Sequence, residues 1–476
     1  MIRPNLVASA SAVVALSLVA VGSAEAQSSR AWISGDHHIH SRWSVGWDTE
    51  TDPPTAIKGG DAIYPIAMNA TMARYYGLSW MVGTDHGGPN HSKVNREQAY
   101  PELLLSRKAV PEVVQFYAME FDTPGADHSS MIMPHTHDEA EKLEELESSF
   151  AARDAWPRDP TRNTEPKMIE ALEHMRDMDE PPVVIAHHPS RSADSIGVYG
   201  LDAPAEFRKW NNTAPNVAIG MEGAPGHQAV VFRATGDSVT PGPRGAYGRQ
   251  PTMGGFDQMT ARLGGFWDSM LGEGRHWWIT ANSDSHVNWR EGGADFWPGE
   301  YSKTYVYADR AHDDILDGIR GGRVFVTLGD LVSELWVTAE AGGAEAGIGG
   351  ELEVSSGSDV QISVRVLDPA GENSHGDSPE VRRVDVIIGE VHGHLDDPTV
   401  DTNPTTAILQ RFTRSEWSRD GDYIVVNVTI PNVGQDMYVR VRGTNGDELE
   451  PENDPPTEDP WDDLWFYSNP IFLTVR

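Results

Sequence analysis

Between Ala31 and Asp330 the chain alternates short apolar runs with longer helix-like segments, and no other feature constrains the fold so strongly. The runs at residues 31–35, 79–83, 113–119, 129–133, 182–186, 216–221 and 276–280 are short and β-rich. Several are almost continuously apolar, the pattern of strands buried on both faces of a parallel sheet. Segments 164–178 and 258–272 carry helical patterns between them. Strand–helix alternation over this length implies an α/β fold, and seven strands favour a barrel over an open sheet. Around the Gly/Ala-rich stretch 341–350 the texture changes. Beyond it, alternating runs at 360–366, 384–388, 407–412, 423–429 and 437–442 are separated by turn residues, as in an antiparallel β-sandwich. Two acidic, proline-rich loops, 396–404 and 448–463, interrupt that region. The expected organisation is an α/β barrel at 27–330 followed by a smaller all-β sandwich at 331–476.

The first 26 residues read as a secretory signal peptide. Arg3 precedes an Ala/Ser-rich apolar run at 6–22, and Ser23-Ala24-Glu25-Ala26 ends in an A-x-A pattern, with cleavage expected before Gln27. The run is too short and too rich in small residues for a membrane anchor. A periplasmic or secreted location follows as the expectation. Cysteine is absent, which removes disulfides, thiolate nucleophiles and Cys-ligated zinc together. The formal charge of -35 repels polyanions and argues against nucleic acid as a partner. A small phosphate ester is not excluded, because a metal centre supplies local positive charge whatever the overall balance.

Polar clusters border these strands. Asp36-His37-His38-Ile39-His40 follows the first, Thr84-Asp85-His86 the second and Glu120-Phe121-Asp122 the third. His128 stands just before the fourth, His187-His188-Pro189 after the fifth, and Asn282-Ser283-Asp284-Ser285-His286 after the last. In a barrel the C-terminal strand ends converge on one face, so residues far apart in sequence meet there. A lone histidine after a strand is ordinarily a satisfied structural residue; a constellation at six such positions points to a metal centre. Imidazole and carboxylate without thiolate suit zinc, manganese or iron. His38 and His40 are two apart, so in extended backbone they face the same way, and Asp284 and His286 share that spacing. Together these exceed what one tetrahedral ion can use, and imply two or three divalent ions.

Over roughly residues 32–329 the chain resembles the polymerase and histidinol phosphatase (PHP) family. The likeness rests on Gly35-Asp36-His37-His38-Ile39-His40-Ser41, Gly83-Thr84-Asp85-His86, Ala118-Met119-Glu120, Ala186-His187-His188-Pro189 and Asn282-Ser283-Asp284-Ser285-His286. The closing Tyr467-Ser468-Asn469-Pro470-Ile471 is similar to the end of exported relatives with a C-terminal β-domain. The resemblance implies a distorted barrel of seven strand–helix units with two or three metals at its C-terminal mouth. Carried over residue by residue, His38, His40 and Asp284 would bind the first ion. Glu120 would bridge to a second ion completed by His128 and His188, and His86 with His286 would hold a third. Many members have a further histidine in the loop where this chain has Gly46; others have an aspartate there, and Asp48 is the expected substitute. Asp85 is expected to orient His86 rather than bind metal.

The chemistry so implied is hydrolysis of a small organic phosphate ester, a diester before a monoester, by metal-activated hydroxide attacking phosphorus in line. The leaving oxygen needs a proton or cation, from His86, His187 or a third ion. Arg191 could reach a phosphoryl oxygen or be a surface or capping arginine. Lys93 and His91 carry the same ambiguity, as do Arg244 and Arg249 in the Gly/Pro-rich stretch 223–255, which is long enough to be a lid. His135 and His137 are expected to face solvent, and Trp267, Trp277 and Trp278 to be core. Two other readings remain open: a metal-dependent hydrolase of carboxylic esters or C–N bonds, and a metal-binding exported protein without turnover. Neither a membrane nor a nucleic-acid partner is expected, and the sequence is silent on oligomeric state.

Overall fold

The computed structural model describes residues 30–226, 229 and 243–476. The expected signal peptide and residues 227–228 and 230–242 of the expected lid lie outside these residues. Among the described residues no helix is long and apolar enough to cross a membrane. The first half contains β1 (Ala31–Ile39), a small hairpin of β2 (Gly46–Asp48) and β3 (Thr55–Ile57), β4 (Trp80–Gly83), β5 (Val114–Asp122) and β6 (His128–Ile132). It continues with β7 (Val183–Ala186), β8 (Ala218–Ala224), β9 (Trp278–Ala281), β10 (Ser302–Ala308) and β11 (Val324–Leu328). All seven expected strands are present, and β1 runs on through His38 to Ile39.

The sheet they build is mixed, not parallel. Its order is β11-β10-β1-β4-β5-β6-β7-β8-β9. Strands β1, β4 and β5 are parallel, as are β7, β8 and β9, but β6 is antiparallel to both its neighbours. The reason is chain length. Asp122 of β5 pairs directly with His128 of β6, and residues 123–127 cannot make the dozen-residue crossover a parallel neighbour requires. Two strands outside the expected set, β10 and β11, add antiparallel partners on the other side of β1. β1 and the chain after β9 meet at a single parallel bridge, Ile39 with Ser285.

The helix Glu165–Arg176 buries Met168, Ala171, Leu172 and Met175, the stripe expected of an amphipathic helix against a sheet. The expected helix at 258–272 is instead two short ones, Gln258–Ala261 and Phe266–Gly272. Arg262 after the first helix is already extended, and Gly264 between the two has φ +71°, a left-handed conformation that suits glycine.

The second half has β12 (Glu334–Ala341), β13 (Ala344–Gly347), β14 (Glu351–Val354), β15 (Ser358–Leu367), β16 (Arg383–Glu390) and β17 (Ala407–Thr413). After these come β18 (Ser418–Asp420), β19 (Tyr423–Val433), β20 (Met437–Thr444), β21 (Trp465–Ser468) and β22 (Ile471–Val475). One antiparallel sheet has the order β13-β12-β15-β19-β18. The remaining strands extend the large sheet, because β21 pairs β11 with Val326 opposite Tyr467. The Gly/Ala stretch 341–350 is the turn of the β12–β13 hairpin and its exit. A buried ion pair fastens the halves: Arg440 on β20 donates Nε and Nη2 to the Asp268 carboxylate at 2.8 and 2.7 Å. Tyr438 Oη adds a third bond to it at 3.0 Å.

Candidate metal centre

The side chains at the strand ends are brought together as their spacing suggested. β1 loses its regular pairing with β4 between Asp36 and Ile39, and polar groups replace the ladder there. Asp36 accepts the His38 amide at 3.0 Å and the Ser283 amide at 3.1 Å, tying β1 to the loop after β9. Thr84 Oγ1 takes the Ile39 amide, and Asp85 takes both Ser41 N and Ser41 Oγ. Asp85 therefore fixes the turn after His40 rather than the ring of His86. Gly226 permits the close approach of the chain after β8, since a Cβ there would lie 2.2 Å from Ser283 O. His188 and Asp284 have φ of 29° and 46°, left-handed values that cost L-residues free energy and cluster at functional sites.

Alternation separates the histidines at the end of β1, His37 and His38, and His40 just after it. His37 points away, bonded to Ser130 Oγ at 3.0 Å and Thr280 Oγ1 at 2.8 Å, and burial pushes its imidazole down to about 3. His38 and His40 share the other face. Their Nε2 atoms are 3.0 Å apart and lie 3.1 and 3.0 Å from Asp284 Oδ1. Glu120 stands beside them, with Oε1 3.3 Å from His38 Nε2. Its Oε2 is 2.5 Å from His86 Nδ1, while Oε1 is 3.1 Å from His128 Nδ1 and 3.5 Å from His188 Nε2. Burial raises the Glu120 carboxyl, but His128, His86 and His38 outweigh it and hold the group well below the usual carboxylate range. Burial and the neighbouring His286 and His86 hold His40 well below the usual imidazole range.

A third group forms at the mouth, where His40, His86, His286 and Asp61 converge. Asp61 Oδ2 lies 3.4 Å from His286 Nε2 and 3.9 Å from His86 Nε2, and accepts from Ser44 Oγ at 2.7 Å. Asp48, the carboxylate expected here, is elsewhere. It sits at the end of β2, and its Oδ1 accepts the Glu50 amide at 3.0 Å within the hairpin turn. The hairpin consumes Asp48 locally, and the following loop delivers Asp61 instead.

These groups can hold metal ions. Glu120 Oε2, His86 Nδ1, His128 Nδ1 and both ring nitrogens of His188 are buried without a hydrogen-bond partner. Each such atom costs about 1–3 kcal/mol if left unsatisfied, and all belong to side chains gathered round Glu120. Close contacts without hydrogen-bond geometry are what ligands aimed at a common point produce. The 3.0–3.7 Å spacings of the His38 and His40 Nε2 atoms from each other and from Asp284 and Glu120 bracket the about 3.4 Å edge of a tetrahedron with bonds of about 2.1 Å.

Glu222, at the end of β8, belongs to the site although it was not among the expected residues. Its Oε1 lies 2.7 Å from His38 Nδ1, and its Oε2 accepts the His188 amide at 2.6 Å. It is a buried carboxylate just after an apolar run, the same signal that marked Glu120. Asp61 lies in a loop with no comparable mark.

Above the centre is a cavity of 420 Å³, lined by Asp61, His86, Glu120, His128, Asp284 and His286 together with Arg191. Arg191 faces this cavity, with Nη2 3.4 Å from Asp127 Oδ1. Asp127 also lies 3.6 Å from His188 Nδ1, so one carboxylate stands beside both groups. His187 is placed differently from the expected proton donor. It is fully buried below the cavity, stacked on His38 with Nδ1 2.8 Å from Glu120 Oε1 and Nε2 2.5 Å from Ser130 Oγ.

The remaining charged candidates do not reach the centre. His91 is buried between Glu147 and Trp43 O, and Lys93 is exposed. Arg244 is buried against Tyr301, Asp454 and Glu458, and exposed Arg249 pairs with Asp194. His137 is exposed, half-exposed His135 bonds Glu139, and Trp267, Trp277 and Trp278 are core.

No family model matches the chain, and no curated protein matches it.

Proposed function

We propose that the chain is an exported, metal-dependent phosphoesterase of the PHP kind, acting on a small phosphate ester and preferring diesters. The observation that carries this reading is Glu120, a buried carboxylate with both oxygens among histidines from β1, β6 and the loops after β4 and β7. His38, His40 and Asp284 would hold one ion, and His128 and His188 a second, with Glu120 between them. His86, His286 and Asp61 would hold a third, and the spacing suits a distorted seven-strand barrel mouth. Bound manganese, zinc or iron would supply Lewis acidity and an acidified water.

The chain's own residues prepare that chemistry. Glu222 accepts from His38 Nδ1, which fixes the tautomer and leaves Nε2 free as a ligand atom. Ser44 Oγ does the same for His40 from 3.2 Å. His187 steadies Glu120 from beneath. Arg191 faces the phosphoryl oxygens, and Asp127 keeps it there. One half-neutralised guanidinium suits the single negative charge of a diester better than the two of a monoester. Without a third ion, His86, at the rim, can instead pass a proton to the leaving oxygen. The -35 net charge disfavours polyanionic substrates and leaves small esters. The apolar run at 6–22 and the A-x-A pattern support export.

The test is hydrolysis of nitrophenyl phosphate mono-, di- and triesters by protein supplied with manganese or zinc. Turnover that His38→Ala abolishes is expected. Inertness toward all three at full metal loading contradicts the reading, and a parallel carboxylic-ester assay shows whether carbonyl chemistry replaces it.

A further inference from the structure

His128 lines more than the metal-centre cavity. Its ring also forms one wall of a second cleft of 100 Å³, together with Asp122, Thr123, Arg153, Arg158 and Asn163. The polar groups there are committed unequally. Thr123 Oγ1 donates to Phe121 O and Ser129 Oγ. Arg153 gives Nε at 2.7 Å, and Nη2 as well, to Asp122 Oδ1, so the one carboxylate in the cleft is already answered by a cation. Asn163 Oδ1 accepts the Gly125 amide at 2.7 Å, which fixes the amide group and leaves its Nδ2 as a donor. Arg158 makes no hydrogen bond or ion pair among the described residues.

Arg158 is exposed, so its guanidinium is open to a solute anion. With 72 acidic residues against 37 lysines and arginines, a guanidinium here is surrounded by potential carboxylate partners. Arg158 has none among the described residues. Arg153, Arg158 and Asp122 give the cleft a net positive charge on a protein that is otherwise strongly negative. Its volume is that of roughly three waters at about 30 Å³ each, room for a carboxylate or a phosphate and too little for an aromatic base.

Resting on the phosphoesterase reading above, we propose that this cleft is an anion subsite. Arg158, helped by Asn163 Nδ2, binds a second negatively charged oxyanion of the substrate while the reacting phosphoryl group lies over the metal centre beyond His128. The substrate is then a phosphate ester carrying a further carboxylate or phosphate. A charge-assisted pair to guanidinium supplies both affinity and the discrimination against neutral analogues.

The experiment uses metal-loaded full chain and measures binding of ω-carboxyalkylphosphonates with one, two or three methylenes, of the matching bisphosphonates, and of alkylphosphonates of equal length. The subsite predicts that at least one doubly anionic ligand binds about 10-fold or more tightly than its alkyl control. The carboxylate and bisphosphonate arms separate the two oxyanion sources. In Arg158→Gln that ratio collapses toward one, Arg158→Lys restores part of it, and Arg249→Gln, at an exposed arginine elsewhere, leaves it as in the parent. Chelation by the second anion would persist in Arg158→Gln, so a ratio unchanged by that substitution overturns the subsite, as does equal binding in the parent. Turnover of nitrophenyl esters by the same preparation reports on the phosphoesterase reading separately. Turnover without Arg158-dependent discrimination sinks the subsite alone. Discrimination without turnover supports the anion-binding cleft and removes the catalysis. Failure of every phosphonate to bind sinks the subsite and leaves the phosphoesterase reading to the turnover assay.

Discussion

Glu222 links two metal-ligand candidates with one carboxylate, pairing its Oε1 with His38 Nδ1 at 2.7 Å and accepting the His188 backbone amide on Oε2 at 2.6 Å. The side chain is fully buried, so both bonds are made away from water. It thereby fixes a ring on β1 and the strained backbone after β7 at once. Outer carboxylates of this kind typically contribute 10–100-fold to metal affinity. Glu222→Ala is expected to lose metal affinity by about that factor in a chelator competition. Glu222→Gln, which keeps an acceptor, is expected to lose less. Equal affinity in parent and Glu222→Ala would show that His38 needs no such partner.

Asp61 and Asp48 make a matched pair for a second prediction. Asp61→Ala removes the carboxylate shared with His86 and His286, and is expected to lower the metal content of the purified chain by one ion. Asp48→Ala removes only a turn contact to Glu50 and should leave metal content unchanged. Elemental analysis of both variants decides it, and the reverse result would return the third group to the expected Asp48.

The His91–Glu147 pair gives a pH dependence outside the metal centre. Burial pushes the His91 imidazole down, but Glu147 and Trp43 O more than offset this and raise it to about 9. Its folded value therefore lies above the about 6.5 of an unfolded histidine. The stabilisation is complete below pH about 6.5 and is lost as pH rises through about 9. Its size is on the order of 1–3 kcal/mol. Urea unfolding at pH 6 and pH 9.5 should show parent stability falling more than that of His91→Gln, and parallel slopes would contradict this.

The Asp268–Arg440 pair joins the helix Phe266–Gly272 to β20 with both side chains buried. Asp268→Ala strands the buried Arg440 guanidinium, while Tyr438 Oη keeps Thr406 Oγ1, and is expected to cost roughly 3–5 kcal/mol in urea unfolding. Metal content should be retained, because neither residue touches the centre. A loss below about 1 kcal/mol would mean that water or another carboxylate replaces Asp268.

The sequence shows where strands lie more clearly than how they run. Near-continuous apolar runs locate β1 and β4 through β9, because burial on both faces leaves that mark whatever the direction. Direction depends on the connection, and residues 123–127 between β5 and β6 are too short for a crossover. Strand β10 opens on three polar residues, Ser302, Lys303 and Thr304, which hide it, whereas β11 (VFVTL) carries the same near-continuous apolar mark and was not counted. At the centre, His38, His40, Glu120 and Asp284 were legible from strand-end position and spacing of two. Asp61 was not, since a loop residue reaches its place through tertiary packing that no local pattern encodes. Nor was the buried position of His187, which follows from alternation relative to His188 and from stacking on His38.

Metal content per chain, measured on the same preparation as phosphodiester turnover, tests the central claim most directly. Two or three divalent ions per chain are expected, with turnover that a chelator removes and manganese or zinc restores. A fully loaded chain that hydrolyses no phosphate ester would contradict the account.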